Sequence, residues 1–81
     1  MENENYELEV IVEFAQGRMI PRRIRYYDLN SAVYEEKDIM SISYELVSLK
    51  ESRYGVRFYD GEAGILSFVR RTGCWSLVEH L

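Results

Sequence analysis

Residues 6–27, YELEVIVEFAQGRMIPRRIRYY, decide the fold. Tyr6, Leu8, Val10, Val12 and Phe14 recur at period two, with Glu7, Glu9, Ile11 and Glu13 between them. Alternation of this kind marks a strand with one face buried. Ala15-Gln16-Gly17 follows. It reads as a three-residue hairpin loop whose last position needs positive φ, which Gly adopts without steric penalty. A second strand then runs over residues 18–27. With Phe14 set opposite Arg18, Val12 meets Ile20, Leu8 meets Ile24 and Tyr6 meets Tyr26. In the same register Glu9 meets Arg23 and Glu7 meets Arg25, so acids face bases on the other side. Pro21 has no N–H to give a ladder and predicts an edge or a bulge. Arg22 falls on the apolar face. It is expected at the mouth of a barrel, or pushed outward by a bulge near Pro21.

The rest of the chain continues the pattern. Asp28-Leu29-Asn30-Ser31 reads as a turn. Met40, Ile42, Tyr44 and Leu46 alternate with Ser41, Ser43 and Glu45, which suits a strand. Residues 33–40 form either a separate short strand or the first half of one long, bent strand. Residues 28–38 also have room for a helical turn. Lys50-Glu51-Ser52 is a connection, and Tyr54, Val56 and Phe58 alternate with Arg53, Arg57 and Tyr59. Asp60-Gly61 marks the next hairpin turn. Residues 65–69 are apolar on both faces apart from Ser67, as in a central strand. Arg71-Thr72-Gly73 is a turn, and residues 74–78 place Trp75 and Leu77 on one face. Strands joined by short Gly turns make an antiparallel meander. About six of them, this apolar, curl into a small, partly open all-β barrel. A five-stranded sheet crossed by one helical turn is the alternative.

At 81 residues there is room for one small domain. Residues 1–5 read as a frayed acidic leader and 6–81 as the domain. One Cys and one Pro exclude a disulfide scaffold, a zinc knuckle and a low-complexity linker. The first residues are acidic where a secretory signal is positive. The longest apolar run, Val10-Ile11-Val12, is far short of a membrane span. A single thiol fits a reducing compartment, so the expected location is the cytoplasm, with no membrane partner. The net charge of −4 argues against a free-standing duplex binder, whose affinity comes from neutralising phosphates.

Several stretches in order resemble a group of small bacterial all-β proteins, a domain of unknown function. They are residues 12–21, Ile24-Arg25-Tyr26, residues 53–58, and Gly73-Cys74-Trp75-Ser76-Leu77-Val78-Glu79. That group opens with an acidic strand, a Gly-Arg turn and a Pro, and ends on a Tyr-rich strand, a turn and a Gly-x-Trp strand. The resemblance spans nearly the whole chain. It implies the same fold and a nucleic-acid context of the DNA-repair kind. The chain departs from the pattern at Arg22 and in the acidic run Glu35-Glu36-Lys37-Asp38.

Little of the sequence points to catalysis. The only His, His80, is next to the C-terminal residue, where a nucleophile–base pair lacks support. Cys74 reads as a small apolar strand residue unless Arg70 or Arg71 activates it. One His and one Cys are too few for a transition metal, and Glu35, Glu36 and Asp38 read as a solvated acidic turn rather than a cation loop. No cofactor is expected. Eight of the ten basic residues are Arg. Arg suits bidentate contacts and aromatic stacking. The expected function is therefore a non-catalytic binding module. Its candidate surface is Arg53, Arg57, Arg70 and Arg71 with Arg22, Tyr27 and Tyr59. The first expectation is a protein partner or a second copy of the chain. The alternative is a single-stranded nucleic acid on the same Arg/Tyr surface.

Overall fold

The computed structural model describes residues 8–80, with side chains through residue 78. The acidic leader 1–5, the expected pairings of Tyr6 and Glu7, and the His80 side chain lie outside the described residues. Six strands follow in order: β1 (Leu8–Ala15), β2 (Arg18–Asp28), β3 (Val33–Val47), β4 (Glu51–Phe58), β5 (Ala63–Val69) and β6 (Cys74–His80). Each strand pairs antiparallel with its sequence neighbours, and the single sheet curls into a half-barrel. The expected all-β meander is the observed one.

β3 makes the curl. Its first half, from Val33 to Asp38, pairs with β2, and its second half, from Ile39 to Val47, pairs with β4. Residues 33–47 are thus one long strand, without the helical turn the sequence allowed. Two register irregularities, between Ile39 and Ser41 and between Ile42 and Tyr44, interrupt the β4 ladder. Bulges of this kind bend a strand and let it pass from one part of a sheet to another. The run Glu35-Glu36-Lys37-Asp38 lies within this strand and is no solvated turn.

The first hairpin differs from expectation in register. Ala15 pairs with Arg18, so the loop is the two residues Gln16 and Gly17, both at positive φ (54° and 75°). Two-residue hairpin loops favour this geometry because its twist matches that of the strands. Phe14 accordingly faces Met19, not Arg18. A bulge then falls where Pro21 predicted it: Val12 pairs with Pro21 and Ile11 with Arg23, leaving Arg22 without an opposite residue. Parity changes at that point. Tyr26 and Ile24 face inward above the bulge, Pro21 and Met19 below it. Arg22 leaves the apolar face and is exposed. Because the register has moved, Glu9 faces Arg25 rather than Arg23.

The inner face of the half-barrel is the core. Ile24, Ile39, Tyr54, Val56, Phe58 and Leu66 are buried there, flanked by Leu8, Val10, Met19, Tyr26, Ile42, Trp75 and Leu77. Most come from period-two positions on β4 and its neighbours, as the alternation required. On the outer face the Tyr44 ring lies over Gly55: a Cβ there would sit 2.5 Å from the ring.

Candidate functional site

Strand direction alternates, so the turns divide between two ends of the half-barrel. Turns 16–17, 48–50 and 70–73 share one end, and turns 29–32 and 59–62 the other. The first end carries Arg18, Lys50, Arg70 and Arg71, whereas the second carries Asp28, Asp60 and Glu62. At the acidic end Lys37 bridges Asp60 (3.0 Å) and Glu62 and lies over the Phe58 ring. Those bonds outweigh the larger opposing effect of burial and raise the Lys37 pKa.

Most arginines are already neutralised. Arg18 pairs with Glu45 at 2.5 Å, Arg22 with Glu13 at 2.7 Å and Arg53 with Glu51 at 3.1 Å. On the outer face of β2, Arg23 bonds Asp38 at 2.6 Å and reaches Glu36 at 3.4 Å, and Arg25 lies 3.9 Å from Glu9 and over the Tyr34 ring. Exposed pairs of this kind contribute about 0–1 kcal/mol each, but they cancel charge where a ligand would need it. Among the described residues, Lys50, Arg57, Arg70 and Arg71 have no carboxylate partner.

The structure does not join the expected surface into one patch. Arg57 donates to the Gly61 carbonyl at 3.3 Å beside turn 59–62, and Tyr59 is 70% exposed at that same end. Tyr27, near turn 29–32, packs edge-on against Tyr34 at 5.2 Å. Arg70 and Arg71 stand at the opposite end, roughly 20 Å along β4 from Arg57. Arg22 and Arg53 belong to ion pairs elsewhere on the sheet. Arg70, Arg71 and Lys50 do come together: the Arg70 N–H donates to the Lys50 carbonyl at 3.0 Å and ties two turns.

Beside them opens a cleft of about 640 Å³ lined by Gly17, Arg18 and Met19 of the first hairpin and by Glu45, Val47, Ser52, Tyr54, Phe68 and Arg70. It is the mouth of the half-barrel, where inner-face residues of β3, β4 and β5 meet the β1–β2 hairpin. Ser52 is only 3% exposed and accepts a hydrogen bond from the Arg70 guanidinium at 2.9 Å. Tyr54, one step further in, donates to the Met19 carbonyl at 3.0 Å and holds the hairpin over the cleft. Burial raises the Tyr54 pKa; the Ser52 hydroxyl, Arg70 and Arg18 act the other way. Phe68 packs against Trp75 at 5.0 Å, and Trp75 against Tyr54 at 5.9 Å. Glu51, next to Ser52 in the chain, is engaged by Arg53 and by the Ser67 hydroxyl, each at 3.1 Å.

Sequence reasoning did not single out Ser52 and took Tyr54 only as a possible stacking ring, although a signal exists for both. They begin the inward period-two series Ser52, Tyr54, Val56, Phe58, and a serine at the end of such a series marks where the core meets solvent. Cys74 is exposed, its Sγ 3.6 Å from the Thr72 carbonyl oxygen. No group of three or more metal-ligating side chains occurs among the described residues, and none of their helices is long and apolar enough to cross a membrane. The chain matches no family model, no curated protein and no solved structure, so no match bears on its resemblance to small bacterial all-β proteins.

Proposed function

We propose that this chain is a non-catalytic binding module of the cytoplasm that engages a protein partner through the cationic end of its half-barrel. One observation carries the proposal. Lys50, Arg70 and Arg71 gather at one end without carboxylate partners among the described residues, while five other arginines are paired. An uncompensated group of cations beside a partly apolar cleft complements an acidic segment with apolar anchors. Single-stranded nucleic acid is the less supported reading. Tyr27 and Tyr59, the aromatic contacts it calls for, stand at the other end.

A labelled, acetylated and amidated peptide alternating Glu with Leu, titrated at low and moderate salt, tests this. Binding is expected to weaken with salt. It is expected to fall at least about tenfold in an Arg70→Ala/Arg71→Ala double variant, the size of effect that losing charge-assisted bonds produces. Arg22→Ala should leave it unchanged. A labelled oligothymidylate that binds more tightly than the peptide, or no peptide binding at low salt, overturns the proposal.

A further inference from the structure

The cleft at the cationic end has a more specific chemistry than its rim. Arg70 is the only charged group lining it without a counter-charge among the described residues, because Glu45 is held by Arg18. One Arg70 N–H is committed to Ser52, a hydroxyl that is itself buried and so fixes the guanidinium at the wall. A guanidinium has five N–H donors in a planar fork, and the fork matches a carboxylate with two parallel bonds. Next to it Met19, Val47, Tyr54 and Phe68 supply an apolar wall. Arg18 and Glu45 line the same cleft as a neutralised pair, so Arg70 leaves one net positive charge there, which matches the single charge of a carboxylate better than a phosphate dianion.

We infer that this cleft receives a carboxylate carried on an apolar residue, with Arg70 as the anchor and Met19, Val47, Tyr54 and Phe68 packing its side chain. The carboxylate is either the C-terminus of a peptide chain or that of a free acid. This deepens the partner-binding reading by naming the group that is recognised.

Trp75 provides the readout. It is the only tryptophan and packs directly on Phe68 and Tyr54. The full chain is titrated with N-acetylphenylalanine, with its amide, and with a hexapeptide ending in Phe as free acid or amide, following Trp75 emission and heat. Each acid that binds is expected to bind at least about tenfold more tightly than its amide, the cost of leaving a charged donor unpaired. Arg70→Gln is expected to abolish that preference and Arg22→Gln to keep it. The acid–amide comparison on the unaltered chain stands even if Arg70→Gln fails to fold. Binding of both acids assigns the cleft to carboxylates generally, and binding of the peptide acid alone assigns it to chain termini. Equal binding of acid and amide, or binding of neither, overturns the inference. If the acidic Glu-Leu peptide still binds in that case, the partner reading survives without the cleft. If only the acids bind, the cleft survives without the acidic partner.

Discussion

Gly55 shows how much a single residue decides on the outer face. Its missing Cβ is the space that the Tyr44 ring occupies, and the Ser43 hydroxyl also comes within 2.7 Å of that position. Gly55→Ala therefore displaces a packed ring, which costs about 1–3 kcal/mol. In urea unfolding, a Gly55→Ala/Tyr44→Ala pair should be less destabilised than the sum of its single variants, since the clash vanishes with the ring. Strict additivity would show that the ring does not press on this site. The candidate arginines are also a residue-scale matter. Arg53 sits two residues from Glu51 on the same strand face, so their pairing was readable from the period-two rule. The loss of Arg22 to Glu13 was not readable, because the bulge determines which side chains meet.

At the scale of elements, the positions of turns were legible and the registers were not. Turn residues act locally, through φ preferences and missing N–H groups. Register depends on how two strands bury their faces together and can shift by one at a bulge. Pro21 announced the bulge, but the tighter loop and the bulge each moved the register by one, which put Pro21 in place of Arg22 on the inner face and moved Glu9 from Arg23 to Arg25. The β1–β2 turn gives a test. Gln16 holds a left-handed φ of 54° that Asn tolerates better. Gln16→Asn should raise the melting temperature by a few degrees, worth about 0.5–1 kcal/mol. Gly17→Ala should lower stability by about 1 kcal/mol, since its φ is 75°. A melt unchanged by Gly17→Ala would contradict the turn geometry.

For the whole molecule, burial of phenols links stability to pH. Burial raises the pKa of Tyr54 and of Tyr26 above the ordinary value of 10.0. Near Tyr54, Ser52, Arg70 and Arg18 oppose this shift and Glu45 adds to it. Near Tyr26, Lys37 opposes it, and Glu35, Asp28 and Glu62 add to it. Above the ordinary value the unfolded chain releases these protons while the folded one retains them. Their contribution is complete below that pH and is lost as pH rises through the folded values. The urea midpoint should fall in alkali. Tyr54→Phe should show a shallower fall from a baseline lower by about 1 kcal/mol, having lost the bond to Met19. An equally steep fall in the variant would exclude Tyr54 as a cause. Lys37 loses its charge over the same alkaline range and weakens its bridge to Asp60 and Glu62.

The sequence by itself determined the strands, the Gly turns, the meander and the membership of most of the core. Those follow from period-two alternation and local backbone preferences, which act over a few residues. Only the tertiary structure decided where uncompensated charge remains. Arg18 meets Glu45, and Arg70 meets Ser52, across long stretches of chain. Such meetings depend on the bend in β3 and the bulge in β2, which set the neighbours of each side chain. That is why, of an Arg surface spread over the sequence, only Arg70 and Arg71 remain with Lys50 at one end beside a cleft.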